Sequence, residues 1–330
     1  MAQEADVNYL TIEALEDGMQ VSITTDCDYS LDGKNWKSVG PNELTQPVNA
    51  GEHIYFKRNA DPVANVGVGT FTITKPCNLS GNINSMMFGD AADEVFSLVG
   101  KDWGFYKLFY ECTNIIDASR LILPNVILVY GGYSRLFSGC TSLVAAPELP
   151  GIILATFCYN EMFKTCTSLK AAPNLPAKKL YEKCYSSMFY GCTSLEIAPK
   201  ITATEMGAYS CQYMFQGCTS LEIAPELQAL QLDIYCYRYM FQGCTSLKAA
   251  PELPAISLFT GCYQYMFQNC KKLSYIKALF TTSPTSYTSY WVDGVASTGT
   301  FVKNAAATWY SIGISGIPSG WQVLTEEVGS

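Results

Sequence analysis

A single histidine, His53, stands in this 330-residue chain, and that scarcity removes more chemistry than any other feature of the sequence. A Ser or Cys nucleophile normally needs a positioned base, and a catalytic zinc usually takes two or more His ligands. His53 lies in the alternating segment His53-Ile54-Tyr55-Phe56-Lys57 and reads as a half-exposed strand residue. Charge is sparse too, at 15% of residues, and no basic stripe is present: residues 1–82 carry five basic and eleven acidic side chains, residues 83–330 sixteen and eighteen. Nucleic acid is therefore excluded as a partner. No apolar run reaches the roughly 18–20 residues needed for a transmembrane segment; Leu121 to Tyr130 is broken by Pro124 and Asn125. The opening Met-Ala-Gln-Glu-Ala-Asp has neither the basic nor the apolar region of a signal peptide. Two readings follow, a cytosolic chain or one whose export signal has been removed.

Cysteine, by contrast, is plentiful at fourteen, yet no close pair of the C-x-x-C kind occurs, so the spacing argues against a metal cluster and predicts no cofactor. Twelve of the fourteen lie in a repeat array, where equivalent residues of successive turns stack about 5 Å apart. A disulfide column would have to choose its partners arbitrarily, so these cysteines read as small apolar fillers. Cys27 and Cys77, outside the array, are the better candidates for one bond.

The array itself is the dominant signal. Phe137, Phe163, Phe189, Phe215, Phe241 and Phe267 recur every 26 residues, each followed three residues later by Cys140, Cys166, Cys192, Cys218, Cys244 or Cys270. A looser copy centres on Phe109 and Cys112. A fixed period of this length marks a stack of units that bury their apolar edges only against one another. Within a unit, Cys158, Tyr159, Met162, Phe163 and Cys166 fall at i, i+1, i+4, i+5 and i+8, which predicts a short helix with its apolar face inward. The following Thr167 to Pro173 reads as a turn into a short extended segment with Leu169 inside. Leu154, Leu180, Leu232 and Leu258 share one position and supply a second inward anchor.

Three regions result: a β domain over 1–82, the repeats over 83–280 with a divergent opening cap from Gly81 to Ser119, and a closing unit over 281–330. In the first, Gln20 to Thr24, His53 to Lys57 and Gly69 to Ile73 alternate as strands of a sandwich. Asp32-Gly33 supplies the turn of a two-residue hairpin. Asp28, Ser30, Asp32 and Gly33 also match the first half of a calcium loop, but the twelfth position is Val39 and not the closing Glu, so the hairpin is preferred. In the closing unit Gly299 to Val302 and Gly320 to Val323 read as strands. Asn304 reads as the N-cap of a short Ala-rich helix ending near Trp309.

The units resemble the leucine-rich repeats of BspA-like surface proteins of gut bacteria. The likeness rests on Met214-Phe215-Gln216-Gly217-Cys218-Thr219-Ser220-Leu221, on Pro225-Glu226-Leu227, and on the flanks Gly81-Asn82-Ile83 and Gly316-Ile317-Pro318-Ser319-Gly320-Trp321. It departs from the commoner repeat by a longer unit and by the second cysteine column, in which Cys211 is displaced by one residue. The resemblance implies an α/β leucine-rich-repeat solenoid, a short helix and short strand per unit, behind the N-terminal all-β domain. It also implies an exported, cell-surface protein that binds host or bacterial protein or glycan without catalysis. A purely architectural surface component, or a glycan hydrolase working through carboxylates alone, are the alternatives. Against the last, the column holding Glu148, Glu226 and Glu252 changes to Asn174 and Lys200, as a solvated face would. The candidate binding residues are two tyrosine columns: Tyr213, Tyr239 and Tyr265, and Tyr159, Tyr185, Tyr237 and Tyr263. Either could present ring faces and hydroxyls to a ligand, or pack between turns with hydroxyls at the rim; packing is preferred for the column containing Tyr159, which follows the buried cysteine, and the Tyr213 column stays open between the two.

Overall fold

The structure is a computed structural model that describes residues 8–58, 61–64, 66–284 and 286–327. Alternation of apolar and polar side chains builds seven strands before residue 83: β1 (Leu10–Ala14), β2 (Val21–Ile23), β3 (Cys27–Ser30), β4 (Lys37–Val39), β5 (His53–Lys57), β6 (Phe71–Ile73) and β7 (Cys77–Asn82). β2 and β6 pair antiparallel, each burying its outer two residues and turning its middle residue outward. The other five join β8 (Ile115–Ile122) in a six-stranded sheet of order β4-β3-β5-β1-β7-β8. Phe56 of β5 meets Phe71 of β6 edge-on, ring centres 5.0 Å apart, tying the two sheets together. β7 and β8 run parallel, so the strand that closes the N-terminal layer is also the strand on which the repeats stack.

The hairpin between β3 and β4 is longer than the two-residue turn expected, because Tyr29 pairs with Lys37 and leaves Leu31 to Trp36 as the loop. Asp32 shapes it by accepting from the backbone N–H of Lys34 at 2.9 Å and of Asn35 at 2.7 Å. Those bonds hold its carboxyl far below the usual carboxylate range.

From residue 103 to 295 the expected helix per repeat is absent, and this overturns the α/β leucine-rich-repeat assignment. Strand makes up 22% and helix 3% of the structure. The one α-helix lying wholly among the described residues is α1 (Ser85–Phe88), followed by a 3-10 turn over Gly89–Glu94. In place of helices, each unit contributes a ribbon of overlapping turns. Ser134, Leu136, Ser138 and Cys140 donate their N–H groups three residues back, to the carbonyls of Gly131, Tyr133, Arg135 and Phe137. Tyr133, Arg135, Phe137 and Gly139 donate instead to the next unit, to the carbonyls of Cys158, Asn160, Met162 and Lys164 at 2.8–2.9 Å. The pattern repeats in every unit through Asn269. It requires a positive φ at every fourth residue, as at Phe157 (61°), Glu161 (55°) and Thr165 (58°). An α-helix would send every N–H four residues back and could not link units at all.

Inside the stack, the motif phenylalanines lie face to face. The spacing is 5.3 Å for Phe109–Phe137, 5.6 Å for Phe163–Phe189 and 5.7 Å for Phe241–Phe267. Parallel bridges such as Ala171–Ile197 and Ile223–Ala249 join the other edge of each unit.

The stack is closed by a parallel sheet of order β11-β10-β9, formed by β9 (Tyr275–Ala278), β10 (Thr300–Asn304) and β11 (Gln322–Glu326). Trp291 covers the last ring of the phenylalanine stack at 6.0 Å and donates its indole N–H to the Gly316 carbonyl at 2.8 Å. The helix expected after Asn304 does not form. Asn304 ends β10, and its Oδ1 accepts the N–H of Ala306 only two residues on, a turn and not a cap. The buried Lys303 ammonium then binds the carbonyls of Ala307 and Trp309 at 2.9 and 2.8 Å.

Thr165 is β-branched at φ 58° in a column where Gly139, Gly191, Gly217 and Gly243 take the same conformation. Left-handed backbone costs an L-residue about 1–2 kcal/mol, part of which glycine's added chain entropy offsets. We expect Thr165→Gly to raise stability in urea by about 0.5–1 kcal/mol at unchanged m value; a helix at this position would make the same change destabilising by about 0.3–0.5 kcal/mol.

Candidate functional site

The four-residue turn repeat sorts side chains by column. Residues equivalent to Cys158, Tyr159, Met162, Phe163 and Cys166 are buried in every full unit. Tyr159, Tyr185, Tyr237 and Tyr263 thus belong to the core, and no ligand reaches them in this structure. Desolvation drives their hydroxyls well above the ordinary phenol range. The displaced cysteine is explained by this column. The backbone N–H of Tyr185 donates to the Ser210 carbonyl, as that of Tyr159 does to Cys184, so Ser210 takes the cysteine place and Cys211 the tyrosine place, with no slip in register. The small Cys211 leaves room beside Tyr237, whose hydroxyl lies 3.4 Å from the Met206 sulfur.

Tyr213, Tyr239 and Tyr265 occupy the second positive-φ column, at φ 57–59°, and are half-buried. Their rings stack at 4.8 and 4.5 Å, tilted by 12° and 3°. Tyr290, which the sequence reading missed, extends the ladder at 5.5 Å and is 45% exposed. Its displacement from the 26-residue spacing hid it. The rings cover one another's faces, so the ladder presents edges and hydroxyls outward. Ring faces are free of a stacked ring only at its ends, where Ser187 precedes Tyr213 in the column.

An amide ladder runs beside the rings. Gln216 Nε2 donates to Gln242 Oε1, Gln242 Nε2 to Gln268 Oε1, and Gln268 Nε2 to Asp293 Oδ2 at 3.0 Å. On the other flank Arg238 shares a column with Gln212 and Gln264. Its guanidinium carbon lies 4.8 Å from the Tyr239 ring centre, 5.0 Å from Tyr235 and 5.9 Å from Tyr265. Burial raises the Tyr239 hydroxyl, against the opposing charge of Arg238. A row of aromatic edges, amides and one cation on a rigid backbone can bind a polar, hydroxylated ligand. The gap of one unit between equivalent residues sets the spacing of its contacts.

All fourteen cysteines are buried and free, Cys27 and Cys77 included, so that suggested bond is not formed. Each motif cysteine has a role that composition did not reveal. Its S–H donates to a phenylalanine carbonyl of the preceding unit, at 3.1 Å for Cys166–Phe137 and 3.0 Å for Cys192–Phe163. Among the described residues no group of three His, Cys, Asp or Glu is placed to hold a metal. Glu148, Asn174, Lys200, Glu226 and Glu252 are all exposed. Among the described residues no helix is long and apolar enough to cross a membrane. The surface also carries apolar side chains in a shallow groove of about 500 Å³ lined by Leu230, Leu232, Ile256 and Phe259.

No family model, curated protein or solved structure matches the chain.

Burial pushes the thiols of Cys158, Cys192 and Cys244 up to about 12. The unfolded chain, with thiols titrating near about 8.5, then releases protons that the folded chain keeps. Stability from these groups is complete below about pH 8.5 and declines above it, by up to about 1.4 kcal/mol per thiol per pH unit. We expect the denaturation midpoint to hold steady from about pH 6 to 8 and to drop steeply above about pH 9. Thiol reagents should modify none of the fourteen cysteines in the native protein and all of them once it is unfolded.

Proposed function

We propose that the chain is a non-enzymatic recognition module, displayed outside the cell, whose repeat array binds a glycan through the Tyr213–Tyr239–Tyr265–Tyr290 ladder. The observation that carries this reading is the half-exposed row of tyrosine edges bordered by the Gln216–Gln242–Gln268 amide row. Side chains locked by their neighbours lose little entropy on binding, which favours recognition of a repetitive ligand.

The repeat's likeness to BspA-like surface proteins supports placement at a bacterial surface and a role in adhesion. Fourteen free thiols are compatible with an oxidising exterior, because all are buried and held as neutral thiols. A host or bacterial protein is the other ligand class that the resemblance suggests. Glycan is preferred because the ribbon backbone has no free N–H to offer an extended peptide: every N–H from Tyr235 to Cys244 already has an acceptor.

Immobilised-glycan screening of the wild type against Tyr239→Ser tests the proposal. Serine already occupies the same column at Ser187, with φ 55°, so the variant should fold. We expect a loss of about tenfold or more in affinity for the glycans that the wild type binds, with the thermal midpoint within a few degrees. Undiminished binding by the variant would remove the ladder from the site.

A further inference from the structure

Arg238 is set apart from the other arginines of the chain. Arg58, Arg120 and Arg135 each pair with a carboxylate, Asp26, Glu13 and Glu161 respectively. Arg238 has no ion pair among the described residues. Its Nε is buried without a hydrogen-bond acceptor, while the side chain as a whole keeps partial exposure. Three tyrosine rings hold the guanidinium in place, the nearest centred 4.8 Å away. The column around it is otherwise neutral, with Gln212 one unit before and Gln264 one unit after. A half-desolvated guanidinium with no counter-charge is costly unless an anion completes it. The rings hold the guanidinium in place beforehand, and its planar fork matches a two-oxygen acceptor.

From this we infer that the tyrosine ladder binds an acidic glycan, with Arg238 receiving a carboxylate or sulfate group of one sugar while the adjoining tyrosine hydroxyls and glutamine amides bind its neighbours. The inference rests on the glycan reading of the ladder and adds the ligand's charge. An acidic peptide is the less suitable ligand, because the ribbon around Arg238 exposes no unpaired backbone N–H with which to register a peptide chain. A flexible lysine would not reproduce the site, since it offers a point charge in place of the planar fork.

Calorimetric titration decides the matter with four probes of matched length: a galacturonate hexasaccharide, a sulfated hexasaccharide, a neutral cello-hexasaccharide and a short poly-glutamate. The wild type should prefer one of the acidic sugars to the neutral one by about tenfold or more, and the preference should weaken as salt is added. Which of the two acidic sugars is preferred identifies the anionic group. Arg238→Gln, which places in this column the residue already found at Gln212 and Gln264, should abolish the preference, and Arg238→Lys should recover only part of it.

Equal affinity for acidic and neutral sugars, or a preference untouched by Arg238→Gln, would overturn the inference while leaving the ladder itself in place. Poly-glutamate bound as tightly as the sugars, in an Arg238-dependent way, would overturn the glycan class. Loss of all sugar binding in the wild type would overturn both this inference and the function proposed for the ladder.

Discussion

The alternation of backbone partners along the turn ribbon is the constraint on which the rest of the structure depends. Every second N–H closes a turn within its own unit, and every intervening N–H reaches the next unit 25 residues on, as Tyr237 does to Cys262 and Phe241 to Met266. Buried backbone groups must be paired, and this arrangement pairs them in two directions at once. One direction sets the shape of the unit and the other the stacking distance. The columns of phenylalanine, cysteine and tyrosine follow from the second.

Because the columns are fixed, inward and outward residues carry different duties. The inward columns tolerate little: the phenylalanines stack on one another, and each motif thiol satisfies a carbonyl of the unit before. Outward positions vary freely, from Lys107, Arg135 and Glu161 through Ser187 to the tyrosines from Tyr213 onward. The tyrosine and glutamine ladders coincide with the three most alike units, and a uniform surface of that kind suits a ligand that is itself repetitive. Arg238 interrupts the uniformity with a single charge, and so gives the surface a point of discrimination.

Much of this architecture was legible in the sequence, and the part that was not has a physical reason. The 26-residue period, the inward Phe163, Cys166 and Leu169, the N-terminal strands and the strand beginning near Thr300 could all be read from spacing and alternation. The helix could not be told from the ribbon by periodicity. A four-residue turn repeat buries i, i+1, i+4, i+5 and i+8, and a helix departs from that pattern by only about 40° per four residues. Over nine residues the two are alike. The distinguishing signal was Gly139, Gly191, Gly217 and Gly243 just before the motif cysteine, a poor place for glycine in a helix and a good one for positive φ. The two tyrosine columns were visible, and the inward place of the Tyr159 column followed from its position beside the buried cysteine; the half-burial of the Tyr213 column was not legible, since it too lies beside core residues. It took the turn geometry to set Tyr213 at the surface.

Residue-by-residue tyrosine labelling of the native protein, read by mass spectrometry, tests the central claim most directly. The account predicts modification of Tyr290 and of the ladder tyrosines Tyr213, Tyr239 and Tyr265, with Tyr159, Tyr185, Tyr237 and Tyr263 untouched until the protein unfolds. Comparable labelling of the two columns would contradict both the turn ribbon and the binding face proposed on it.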